Sequence, residues 1–276
     1  MARNYYTLEP DKFYPLNKHF TIGRGGAKVG FITRHHLMYI GEVEAVVDRI
    51  WSTRQASAHV VVGPTGRWGQ AVGDNSTAWA NANAWSNART IAIEHSNNAG
   101  RHGGNDYHDL SWNISDATLK EGARIAAAYC LHYGLGVPTY GTSIRDHNEF
   151  TSTGCPVHLQ GPRPGNAWGG KAGKYHHPWM EEAVWFYGQL DKKLVNPDGT
   201  PAVGKFPAPK KEDVMAADLN TRIKVASGEE HRAQDLIKWT DERVYELTRE
   251  GGTLDEIRQA QSRIESKIDQ IIKKEN

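Results

Sequence analysis

Short apolar runs and longer periodic ones alternate along the first 190 residues. Residues 29–35, Val-Gly-Phe-Ile-Thr-Arg-His, read as a strand that delivers His35 at its end. Residues 58–66, Ala-His-Val-Val-Val-Gly-Pro-Thr-Gly, read as a strand running into a tight turn. Residues 89–94, Arg-Thr-Ile-Ala-Ile-Glu, read as a strand ending on a carboxylate. Helical spacing appears over 42–51, through Val43, Val46, Val47 and Ile50, and over 116–133. The second of these has Leu119, Ala123, Ala126, Ala127 and Cys130 on its apolar face and Gly134 at its close. Pro178 occupies a first-turn position ahead of 179–190, where Ala183, Phe186, Tyr187 and Leu190 share a face. These elements predict an α/β class, a central mixed β-sheet flanked by helices, with the chemically interesting groups at strand ends.

Beyond residue 194 the pattern changes. Residues 195–212 carry four Pro and two Gly with little periodicity, the composition of a linker. Residues 213–276 contain no proline and hold 14 acidic against 11 basic residues. There Ile237, Thr240, Val244 and Leu247, and then Leu254, Ile257, Gln261, Ile264, Ile268 and Ile271, are spaced as two helical seams broken at Gly251-Gly252. Ser227 to Glu230 and Thr253 to Glu256 fit capping boxes. The expected organisation is a catalytic domain over 1–194, a linker over 195–212, and a helical hairpin or bundle over 213–276. Short a/d seams need a partner surface, so this region is expected either to target a substrate or to make a homo-oligomer.

Composition narrows the function. Lys+Arg 33 against Asp+Glu 32 leaves a formal charge of +1, which gives no general drive towards nucleic acid. The longest apolar stretch, 125–131, is too short for membrane insertion. The first residues have no apolar core, so no Sec-type signal peptide is expected. Two cysteines exclude a disulfide framework, whereas thirteen His and nine Trp are more than filler.

Three places carry chemistry. His147 and Cys155 lie eight residues apart in the loop His147-Asn-Glu-Phe-Thr-Ser-Thr-Gly-Cys155-Pro156 and can converge on one ion that accepts imidazole and thiolate together. Arg34-His35-His36 ends a strand, where alternation lets only one of the two imidazoles face a given site. Glu94 ends the most hydrophobic strand, a costly position for a carboxylate without a partner or a task.

The order His35, Glu94, His147, Cys155-Pro156 resembles the zinc-dependent N-acetylmuramoyl-L-alanine amidases shared by phage endolysins and peptidoglycan recognition proteins. The pieces between are similar too: Ser57-Ala-His-Val-Val-Val-Gly-Pro-Thr-Gly66, Thr77-Ala-Trp-Ala80 and Asn87-Ala-Arg-Thr-Ile-Ala-Ile-Glu94. The resemblance covers about residues 28–160. It implies Zn2+ on His35, His147 and Cys155, with Glu94 activating water and Thr153 stabilising an oxyanion. It also implies hydrolysis of the amide between N-acetylmuramic acid and the stem peptide's L-alanine in bacterial peptidoglycan. Trp79, Trp85 and Asn87 are candidate substrate contacts. Two departures stand out: the tyrosine of other phage members falls at Ala58, and Ala80 or Asn81 stands where many relatives have His. An endolysin reading further implies synthesis in the host cytoplasm and holin-dependent release to the wall. The alternative is a non-catalytic peptidoglycan-binding recognition protein, whose members commonly lack the cysteine present here as Cys155.

The remaining polar residues have structural readings. His36 is expected on the opposite sheet face, His59 as a hydrogen-bonding support, Cys130 as a small buried hydrophobe, and Glu149 as an orienting group for the loop. His176-His177 are expected to cap a helix, and Trp168 and Trp179 to sit in the core or line a groove.

Overall fold

The computed structural model describes residues 3–98 and 111–202, and the backbone of 222–224 and 230–232. The chain divides into two compact units, Met1–Phe206 and Pro207–Asn276. In the first unit the elements run β1 (Lys12–Phe13), β2 (Phe20–Thr21), β3 (Phe31–His36), α1 (Val43–Val46), β4 (Val60–Val62), β5 (Trp68–Gln70), β6 (Thr77–Ala78), α2 (Ala84–Asn87), β7 (Thr90–His95), α3 (Asp116–His132), β8 (Ile144–Asp146) and α4 (His176–Asp191). A π-helical turn, Val47–Trp51, continues α1.

Six strands form one mixed sheet in the order β1-β5-β4-β7-β3-β8. β4, β7, β3 and β8 are mutually parallel, and only the β4–β5 pair is antiparallel. The predicted mixed α/β class is the observed one. Strand alternation divides the core in two. Ile32, Val60, Val62, Ile91, Ile93 and Ile144 pack against α3 and α4, with Phe186, Ala126 and Trp179. Val61 and Ala92 face the other way, onto Val43, Val46, Val47 and Trp51. The unbroken apolar runs at 60–62 and 91–93 follow from this double cover.

α2 and α3 start at side-chain caps. Ser115 accepts from the Thr118 N–H at the head of α3, and Asn83 accepts from the Ser86 N–H at the head of α2. Gly122 in α3 is required by packing, because a Cβ there would run into the His95 ring.

Three expectations change. Residues 195–202, the start of the proline-rich stretch, pack onto the first unit. Val195 and Ala202 are buried, the Tyr5 N–H donates to the Pro197 carbonyl at 2.8 Å, and the Tyr6 hydroxyl donates to the Val195 carbonyl at 3.0 Å. Composition hid this because a turn closed on Gly199 uses the same residues as a linker. α4 begins at His176, so His176 and His177 are in the helix rather than before it. In the second unit, β9 (Arg222–Lys224) and β10 (Glu230–Arg232) pair antiparallel, with Glu230 opposite Lys224. Glu230 therefore lies in a strand rather than in the first turn of a helix, and Ser227 lies outside the described residues. The seams at 237–247 and 254–271 lie outside the described residues.

Candidate active site

The carboxyl ends of the parallel strands bring the predicted groups together, the usual place for a site in an α/β sheet. β3 and β7 are in register with His35 opposite Glu94 and His36 opposite His95. His35 and Glu94 thus share the α1-facing side of the sheet, while Arg34, His36 and His95 share the side facing α3 and α4. β8 lies on the other flank of β3 and ends at Asp146, so that His147 enters from the adjacent strand. The loop after it returns Cys155 to the His36 backbone, whose N–H donates to Sγ at 3.4 Å.

His35, His147 and Cys155 each aim a ligand atom into one cluster, with all three atoms within 4.8 Å of one another. The Cys155 Sγ lies 3.7 Å from His35 Nδ1, and the two imidazole centroids are 4.5 Å apart. Tetrahedral zinc with ordinary bond lengths needs ligand separations of roughly 3.3–3.6 Å, so small side-chain movements complete the fit. His35 is oriented for it: Nε2 bonds to Asn81 Oδ1 at 3.0 Å, which leaves the lone pair on Nδ1, towards the sulfur. Asn81 is itself held by Thr33, Ser86 and Asn87. Both ring nitrogens of His147 are buried and find no hydrogen-bond partner among the described residues. A buried imidazole with neither nitrogen engaged is expensive. Two imidazoles and a thiol, one imidazole otherwise unsatisfied, make a donor set suited to zinc.

The electrostatics agree. Burial, and next the neighbouring His147, hold His35 well below the ordinary histidine range, and burial lowers His147 to about 4, so both are neutral lone-pair donors. Burial and then the Glu94 charge push the Cys155 thiol up, against the His36 N–H that favours the thiolate. A cation between these groups would reverse that balance. Burial raises the Glu94 carboxyl to about 8, and its Oε2 is buried without a hydrogen-bond donor among the described residues. Thr153 sits beside the cluster, its Oγ1 accepting from the Cys155 N–H at 3.2 Å, and lines a cavity of about 740 Å³ with Asn148, Phe150, Gln160 and Arg163.

Other candidates separate. Trp79 is 38% exposed and Trp85 55%, and both present ring surface to solvent. Asn87 is buried, with Oδ1 accepting from the Asn81 N–H at 2.7 Å, so it braces the framework beside His35. His36 packs on Trp112, and His59 bonds the Ala92 N–H through Nδ1, so neither joins the cluster. Glu149 orients the loop as expected: it accepts from the Asp146 N–H at 2.7 Å in a reciprocal cap and pairs with Arg145. Cys130 is fully buried in α3, and Trp179 belongs to the core. Sequence reasoning missed Asn81 as the partner of His35. The one signal was that Ala80 or Asn81 stands where many members of the resembled family have His.

The family model described as N-acetylmuramoyl-L-alanine amidase matches residues 19–158. No curated protein matches the chain. Among solved structures, the PlyG catalytic domain is 16% identical with a TM-score of 0.45, the match covering 63% of this chain and 94% of that one. The Staphylococcus aureus hydrolase AmiA, solved in complex with its ligand, is 15% identical with a TM-score of 0.44, covering 69% and 90%. An AmpD derivative is 16% identical with a TM-score of 0.42, covering 65% and 99%. No helix among the described residues is long and apolar enough to cross a membrane. With a match that takes in half its residues and the whole span from His35 to Cys155, the chain belongs to the N-acetylmuramoyl-L-alanine amidase family.

Proposed function

We propose that the chain hydrolyses the amide between the lactyl group of N-acetylmuramic acid and L-alanine in bacterial peptidoglycan, in the manner of an endolysin. His35, His147 and Cys155 would hold Zn2+. The observation that carries this is the convergence of those three ligand atoms, one from an otherwise unsatisfied imidazole, on the sheet face and at the strand end that also carry Glu94. Zinc in an open three-ligand site lowers the pKa of a coordinated water towards neutrality and polarises a carbonyl.

The chain's own residues supply the rest. Glu94, raised by burial and lacking a competing donor at Oε2, takes a proton from the attacking water and returns one to the leaving amine. It does the work for which other phage members use a tyrosine at the place of Ala58. The Thr153 hydroxyl, which already accepts from the Cys155 N–H, keeps its own proton to donate to the tetrahedral oxyanion. Asn81 fixes the His35 tautomer. Trp79 and Trp85 offer exposed rings for stacking against sugars. The region 213–276 is proposed to target the wall or to assemble the chain, and release to the wall through a holin pore fits the endolysin reading.

Metal analysis tests the centre. One zinc per chain is expected in the wild type and none in a His147→Ala, Cys155→Ala double variant. Stoichiometric zinc retained by that variant would move the ion elsewhere.

A further inference from the structure

The two histidine ligands follow, on neighbouring strands, two residues that are bonded to each other. Arg34 precedes His35 and Asp146 precedes His147, and these two are register partners on β3 and β8. Resting on the zinc reading above, we infer that the buried Arg34–Asp146 ion pair is a positioning device that sets the spacing of His35 and His147 and so the affinity of the centre for zinc.

The pair is sealed on the face away from the metal ligands. Both side chains are 0% exposed, and Arg34 Nη2 and Nε lie 2.8 and 2.9 Å from Asp146 Oδ1. Asp146 Oδ2 accepts from the Gly161 N–H at 2.8 Å, tying in the chain beyond the Cys155 loop. Arg34 Nη2 lies 3.1 Å from His176 Nδ1 at the head of α4, and its guanidinium stands 4.9 Å from the Trp179 ring and 5.4 Å from that of Tyr140. Asp146 also caps the 3-10 turn His147–Glu149 that carries the second ligand. One ion pair therefore ties together both ligand strands, the ligand turn and the helix behind them.

Stability alone does not account for it. Charges removed from water lose solvation that their attraction repays only with complete hydrogen bonding, and Arg34 Nη1 has no hydrogen-bond partner among the described residues. Apolar side chains of similar volume would commonly be as stable. They would not supply direction: the pair locks the rung beneath the ligands, and zinc tolerates errors of only about 0.2 Å in its ligand distances.

The test uses the full chain, stripped of metal and titrated with zinc against a competing chelator, with apo unfolding followed in parallel. Asp146→Asn and the apolar double variant Arg34→Met, Asp146→Leu should bind zinc about 10–100-fold more weakly. Cobalt substituted into either should show an altered visible spectrum, and both variants should still unfold cooperatively as folded chains. Leu190→Ala, buried at the far end of α4, serves as the control: it should lose stability and keep its zinc affinity. Zinc affinity within twofold of wild type in either pair variant overturns the inference. So does a loss that Leu190→Ala reproduces, or failure of both pair variants to fold, since the pair would then be a support of the fold. A wild type that takes up no zinc overturns the metal reading instead, which is a distinguishable result.

Discussion

Glu94 has the environment least suited to a purely structural carboxylate: a strand end, an unsatisfied buried oxygen, and an acidity shifted to about 8 by burial. Glu94→Gln keeps the shape and removes the base, so zinc content and unfolding should stay near wild type while turnover falls roughly 10²–10⁴-fold. Wall clearance by the Gln variant at the wild-type rate would make Glu94 structural. Asn81→Ala leaves His35 Nε2 without its acceptor, and zinc affinity should drop about 10–100-fold in a chelator competition. Unchanged affinity would show that the backbone alone orients His35. The grouping of His35, His147 and Cys155 near Glu94 was legible in the sequence because each sits at a strand end or in a Gly-Pro loop within a recognisable order. Asn81 and Asp146 were not, since their significance lies in contacts across 46 and 112 residues of chain.

Among the elements, those with strong periodicity or an apolar run of their own were readable, and several short ones were not. The helix expected over 116–133 is α3, and the strand expected over 89–94 is β7. β5 and β8 are three residues each, owe their existence to pairing with β4 and β3, and leave no pattern of their own. The turn at 195–202 was obscured for the same reason, as its evidence is tertiary. It yields a prediction about where the first unit ends. A chain cut after residue 194 loses the buried Val195, the Tyr5–Pro197 hydrogen bond and the acceptor of the Tyr6 hydroxyl at Val195. A 1–206 chain should therefore be more stable than a 1–194 chain by about 2–3 kcal/mol, read as a higher denaturant midpoint. Equal midpoints would return residues 195–202 to the linker.

For the molecule as a whole, pH should act on stability through Glu121. This carboxylate of α3 is buried and raised to about 7, mainly by burial, with Arg3 and Tyr5 bonded to it working against the shift. A group whose folded pKa exceeds its unfolded value of about 4.5 holds its proton more tightly when folded. Its contribution is complete below pH 4.5 and is lost as pH rises towards 7 and beyond, by about 3 kcal/mol. Glu94 shares that sign in the apo chain, so the quantity to measure is the difference between wild type and Glu121→Gln. That difference should shift in favour of the Gln variant as pH rises from 4.5 to 8, and a constant difference would remove Glu121 as its source.

The most direct test of the central claim is chemical analysis of digested peptidoglycan. Incubation with the full chain and zinc should release new amino-terminal L-alanine in step with loss of turbidity, without new reducing sugar ends, and a chelator should stop both until zinc is restored. New reducing ends, new amino termini other than L-alanine, or digestion untouched by chelation would contradict a zinc-dependent amidase.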